Sequence, residues 1–134
     1  MSNLRLVRVP SLAHAEYADA SIVGAGSEVI LLAGVCQLDE DGVVVSPGDV
    51  AAQTRAALEN MDAVLRRCGA ALEDVAFLRI LVATDEPNDL GLAWTVVREH
   101  FGRHEVPATL QGVSVLGYPN QLVEIEPIAT RSPG

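Results

Sequence analysis

The sequence predicts an α+β fold, one mixed sheet with two helices on a single face, in the order β-β-β-α-β-α-β-β. Three observations predict it. Six segments carry the alternation or short apolar runs of strands, two carry apolar residues at helical spacing, and glycine- or proline-bearing turns divide them. Two helices cannot cover both sides of a six-stranded sheet, so they share one face.

Each element follows from its own residues. LRLVRV at 4–9 alternates as a strand does. Residues 17–23 and 28–35 read as two strands around GAGS, a hairpin turn rather than a phosphate loop, since no helix follows it. DEDG at 39–42 is a further turn. The clearest helix lies in SPGDVAAQTRAALENMDAVLRRCG, where Val50, Thr54, Leu58, Met61, Leu65 and Cys68 recur every three or four residues and Gly69 stands at the stop. FLRILVA at 77–83 is a strand apolar on both faces apart from Arg79. NDLGLAWTVVREHF forms a shorter helix with Leu90, Ala93, Val97 and Phe101 on one stripe. After Pro107 come two strands, 108–116 and 121–128, joined through GYPN.

A chain of 134 residues suits one domain, 1–134, with a single core. Apolar residues make up 49% and charged ones 20%, the balance of a folded globular protein. No apolar run approaches the roughly 20 residues of a membrane helix, and nothing at the start reads as a signal peptide. Two cysteines, Cys36 and Cys68, are then expected as free thiols in a reducing cytoplasm. The net charge of −9 argues against nucleic acid and anionic membrane as partners. All nine basic residues are arginine. Without lysine there is neither a Schiff-base lysine for pyridoxal phosphate nor a P-loop lysine, and no cofactor is expected.

VEIE at 123–126 sets Glu124 and Glu126 on one side of a strand, Val123 and Ile125 on the other. The sheet face away from the helices thus holds two acids and Arg79 among apolar residues. Self-association is the economical way to bury such a face.

Tyr17 in EYADAS, ILLAG at 30–34, the spacing of Gln53 and Asn60 in the long helix, Asp74-Val75, Pro107-Ala108 and VEIEPIA carry a resemblance over nearly the whole chain. In these features the sequence resembles the RidA/YjgF family, the reactive-intermediate imine deaminases also labelled L-PSP endoribonucleases. The resemblance implies chorismate-mutase-like subunits in a homotrimer, with a small-molecule cleft between neighbours lined by the face away from the helices. It implies that a glutamate at the position of Glu124 helps to place an attacking water, and that an arginine after Pro-Ala grips a substrate carboxylate. Such a grip calls for a forked, permanently charged donor. Here Thr109 stands in that place. Ala33 replaces a common serine before Gly34, Phe77 replaces a lysine of some members, and Trp94 falls near a small polar residue of the second helix.

Glu124 is therefore the catalytic candidate, with an ion pair to Arg79 as its plain alternative. The substrate-binding candidates are Tyr17, Ala33, Gly34, Phe77, Arg79, Trp94, Thr109 and Gln111. Each has a plain reading too: Tyr17 as interface packing, Thr109 as a β-former, Arg79 as the partner of an interface glutamate. Glu126 reads as structural, Cys36 as a small hydrophobe near the cleft, and Cys68 as core. His100 and His104 stand four apart without a third ligand nearby, so no metal site is expected. The resulting expectation is a hydrolytic enzyme for an imine or enamine other than the usual small carboxylate imine. Its rival is a non-catalytic metabolite-binding trimer, and an RNA-cleaving protein is disfavoured by the acidic charge.

Overall fold

The computed structural model of the chain describes residues 3–132. Its elements are β1 (Leu4–Val7), β2 (Ala20–Val23), β3 (Glu28–Leu31), α1 (Val50–Arg67), β4 (Val75–Ala83), α2 (Pro87–Phe101), β5 (Ala108–Val113) and β6 (Val123–Arg131). The α+β order is the one expected. The six strands are hydrogen-bonded as four plus two: a mixed sheet β3-β6-β4-β5 and an antiparallel ribbon β1-β2. The β4–β6 register shifts between Val75 and Phe77, and at Ala76 the carbonyl accepts from the Ser21 hydroxyl at 2.7 Å. A side chain, not a ladder bond, ties the ribbon to the sheet there.

β4 and β5 are parallel and joined through α2, the crossover that parallel strands require. β6 pairs antiparallel with both β3 and β4. Leu78, Ile80 and Val82 of β4 and Val123, Ile125 and Ala129 of β6 are fully buried beneath the helices. They meet Leu58, Met61 and Leu65 of α1 and Ala93, Val97 and Phe101 of α2. Full burial of each large aliphatic group stabilises by roughly 1.5–3 kcal/mol, so this layer dominates the fold. α1 begins where Asp49 Oδ1 accepts from Ala52 N at 2.9 Å, and it ends at Gly69, whose φ of 75° a side chain would disfavour. Cys68, expected on the core stripe, is the cap residue and only partly buried.

Strand ends differ from expectation in an instructive place. The third strand was expected to run over 28–35, yet β3 ends at Leu31 and the chain rejoins β6 only where Val35 pairs with Ile125. Between Leu31↔Ile128 and Val35↔Ile125, residues 32–34 oppose 126–127, three against two. Pro127 has no N–H to donate, so the ladder cannot continue at that point and the extra residue bulges. The bulge delivers Gly34 to Glu124. Elsewhere the first, second and fifth strands are shorter than expected, while β4 and β6 run longer. No helix among the described residues is long and apolar enough to cross a membrane.

Candidate functional site

Two cross-strand rows occupy the open face. Glu126, Arg79 and Thr109 are in register across β6, β4 and β5, and Glu124, Leu81 and Gln111 form the next row. Phe77 and Ile128 continue the face, and Leu31 of β3, 75% exposed, lies beside Ile128. Arg79 Nη1 lies 3.6 Å from Glu126 Oε1, and the guanidinium sits 5.8 Å from the Phe77 ring centre. Arg79 therefore serves Glu126 and not Glu124. That pair is too exposed to contribute much on one chain.

Glu124 is held differently. A Cβ built on Gly34 would stand 2.6 Å from Glu124 Cδ and 2.9 Å from Oε2, so the carboxylate lies directly over the Gly34 backbone. A side chain at this position would push the carboxylate aside. Gln121, almost fully buried, donates to the Val123 carbonyl at 3.1 Å and reaches Glu124 Oε1 at 3.5 Å. Cys36 is close enough that the Glu124 charge, after burial itself, pushes its thiol pKa up.

The long helix supplies the frame for both sides of this carboxylate. Gln53 and Asn60 are seven residues apart, about two turns, and so project from one side of α1. Asn60 Nδ2 donates to the Cys36 carbonyl at 2.9 Å, fixing the segment after Gly34. Buried Gln53 accepts from Leu122 N at 2.8 Å, fixing the start of β6. Its amide nitrogen donates to the Ser46 and Asn120 carbonyls at 3.1 Å each, and Gln37 donates to its oxygen. Their spacing has a physical reason: two amides on one helix set the segment after Gly34 and the start of β6, the two pieces of chain that meet at Glu124.

A third group stands at the free edge of β5. Tyr17, Trp94, Ala108, Thr109 and Leu110 line a cleft of about 390 Å³. The Tyr17 and Trp94 rings meet edge to face, with centres 5.9 Å apart. Trp94 Nε1 donates to Glu16 Oε1 at 3.0 Å, and Glu16 also pairs with Arg98. The candidates thus fall into three groups: Tyr17, Trp94 and Thr109 in the edge cleft; Gly34 beside Glu124, with Ala33 preceding it in the bulge; Phe77 with Arg79 and Glu126. Gln111 shares the row of Glu124, across Leu81. A buried amide in a loop shows no periodicity, so nothing in the sequence pattern marks Gln121 or Gln37.

Among the described residues no three His, Cys, Asp or Glu side chains are grouped to hold a metal ion. His100 Nε2 lies 2.9 Å from Asp62 Oδ2, and His104 Nε2 lies 2.7 Å from the Val75 carbonyl oxygen. Both histidines tie elements together.

The sequence model of the family described as Endoribonuclease L-PSP matches residues 10–131. The chain belongs to the RidA/YjgF family. Within it, the chain is 33% identical over 114 residues to a RutC family protein of Pyrococcus abyssi, covering 84% of each chain. It is 35% identical over 101 residues to the 3-aminoacrylate deaminase RutC of Acinetobacter baylyi, covering 75% of this chain and 78% of that one. Among solved structures, the Rid family protein YyfB of Yersinia pestis superposes with a TM-score of 0.88 at 27% identity, over 95% of this chain and 98% of that one. A protein of Thermotoga maritima described as an endoribonuclease superposes with a TM-score of 0.69 at 27% identity, over 96% and 98%. The RidA fold, with Gly34 and Glu124 in contact, is thus a property of this chain.

Proposed function

We propose that this RidA family member hydrolyses an imine or enamine in a cleft between the subunits of a homotrimer, with Glu124 placing the water. One observation carries the reading. Glu124 is held over Gly34 by a built frame, while the nearby guanidinium of Arg79 is taken by Glu126. A carboxylate without a cationic partner is free to orient and deprotonate water. In the reaction the water oxygen bonds to the imine carbon and one water proton passes to Glu124. Glu124 returns that proton to nitrogen, giving a carbinolamine. The carbinolamine hydroxyl proton then passes to nitrogen, the C–N bond breaks, ammonia leaves and a carbonyl compound remains. The relative named 3-aminoacrylate deaminase supports this class of chemistry.

The open face supports the assembly. Leu31, Ile128 and Val29 are exposed there beside two rows of polar residues, and a second copy laid across them would roof the site. The whole of 1–134 acts as one domain in this reading, in the cytoplasm, with no resident cofactor. Thr109 replaces the carboxylate grip, so small carboxylate imines such as 2-iminopropanoate are poor substrates. Losing one partner of a buried charge pair costs on the order of 3–5 kcal/mol, roughly two to four decades in rate, and a neutral hydroxyl restores about 1 kcal/mol. The same replacement favours a second reading, a metabolite-binding trimer that does no chemistry.

The experiment is ammonia release from imines generated in place, for the native protein, Glu124→Gln and Thr109→Arg. Expected are slow turnover of 2-iminopropanoate by the native protein, a gain in Thr109→Arg, and loss of that gain when Glu124→Gln is added. Rapid native turnover of 2-iminopropanoate that survives Arg79→Ala would refute the account of the missing grip. Absence of any turnover in Thr109→Arg would leave the binding protein as the reading.

A further inference from the structure

We propose that the edge cleft of β5 receives an uncharged, planar apolar group, so that the substrate is an aryl imine without a carboxylate. The inference rests on the hydrolytic reading for its reaction and on the cleft for its specificity. The carboxylate is supplied by a second copy of the chain, because β4 lies between Thr109 and Glu124 of one copy. None of the five lining residues, Tyr17, Trp94, Ala108, Thr109 and Leu110, carries a charge. The surrounding cations each have an acid beside them, so an anion must compete for them: Arg98 has Glu16, Arg8 has Glu105 at 2.8 Å, and Arg79 has Glu126 in the most weakly held of the three pairs. An anion entering here would meet no unpaired guanidinium and would leave its own hydration behind.

The aromatic pair fits the opposite kind of guest. The Trp94 indole N–H is spent on Glu16, which fixes the ring and leaves its carbon surface as the binding element. Tyr17 stands at 87° to it, so the two rings form a corner with a π-face on one wall and a ring edge on the other. A flat aromatic guest stacks on one and meets the other edge to face, the two geometries that aromatic rings prefer. Ala108 and Leu110 supply aliphatic contact, and the Thr109 hydroxyl offers a single neutral hydrogen bond to an imine nitrogen or carbonyl oxygen. A volume of about 390 Å³ lies within the range of small-molecule sites.

The chemistry of such a substrate bears on what precedes it. Two-electron oxidation of an amine yields an imine without a carboxylate: carbon gives a hydride to a flavin or nicotinamide and nitrogen gives a proton to solvent. Dehydration of an amino acid would keep the carboxylate. Amine oxidation is therefore a class of reaction that supplies this substrate.

Trp94 is the single tryptophan of the chain, which makes the test direct. The intact protein is titrated with acetophenone and with phenylglyoxylate, which present the same aryl ketone with a methyl group or a carboxylate. Binding is read by Trp94 emission and, independently, by saturation-transfer NMR on the ligand protons. Acetophenone is expected to bind at least about tenfold more tightly, the least that an unpaired, partly desolvated carboxylate should cost. Thr109→Arg is expected to reverse the order, and Trp94→Leu to weaken acetophenone in the NMR measurement. Equal or tighter binding of phenylglyoxylate by the native protein overturns the proposal, as does absence of acetophenone binding. Ammonia release is scored separately. Acetophenone binding without imine hydrolysis would uphold the substrate class and sink the hydrolytic reading. Hydrolysis of carboxylate imines without acetophenone binding would do the reverse.

Discussion

Leu78, Ile80 and Val82 point from β4 into the helix layer and are fully buried, whereas Phe77, Arg79 and Leu81 alternate with them on the open face. The two faces of one strand have been built to different ends. On the helix side every large group finds its partner within the chain, and α1 and α2 close the layer. On the open side apolar groups as large as Leu31 and Ile128 remain in solvent, and charges stand beside them in register. The helix face stores the stability, and the open face holds the residues available for chemistry and association.

The largest effect should come from breaking the helix side. Ile80→Ala removes buried methylenes from the middle of β4 and is expected to destabilise by about 2–5 kcal/mol in denaturant unfolding. Arg79→Ala, one residue away on the other face, should cost less than about 1 kcal/mol at protein concentrations where the chain is monomeric. Comparable losses at both positions would dissolve the distinction between the faces.

An intermediate effect should follow from charging the open side. Leu31→Arg places a cation at an exposed position, so the fold of the single chain should be unchanged by circular dichroism. If the open face joins copies, light scattering should report a trimer for the native protein and a much smaller particle for the variant. A native monomer at micromolar concentration would remove the assembly from the account, and an undiminished variant would move the contact elsewhere.

The two faces were not equally legible in the sequence. The helix face was, because Leu58, Met61 and Leu65 on α1 and Ala93, Val97 and Phe101 on α2 repeat with the helix period, and such stripes are local signals. The acids of the open face were legible for the same reason, since Glu124 and Glu126 stand two apart on a strand. The bulge that brings Gly34 under Glu124 was not. Its cause, a missing donor at Pro127, acts on a segment almost a hundred residues earlier and leaves no mark near Gly34 itself. Gln53 and Asn60 could be read as a spacing, yet their purpose appears only when the chain around them, Cys36 and Leu122, is in place. The corner of Tyr17 and Trp94 belongs to the same class, since neither residue's local pattern reveals the other.

The smallest expected effect tests whether the carboxylate at the heart of the open face is charged and in place. The Cys36 thiol has its pKa raised first by burial and next by the negative charge of Glu124, partly offset by a hydrogen bond with the Leu38 backbone. The sign is clear: a nearby negative charge disfavours the thiolate, so removing it must lower the pKa. Glu124→Gln keeps the shape and deletes the charge, and in a Cys68→Ser background Cys36 is the only thiol. Its ultraviolet thiolate absorbance, followed against pH, should then titrate at lower pH than in the same background with Glu124 intact. Burial is the larger cause and remains, so the midpoint should move only part of the way towards that of an ordinary cysteine. Added salt should change the shift little, because a partly buried pair of groups is poorly screened. An unchanged midpoint would mean that Glu124 does not face Cys36, and the position of the carboxylate over Gly34 would fall with it. A midpoint moved upward would require a different charge to govern the thiol, and the water-placing role proposed for Glu124 would lose its structural basis.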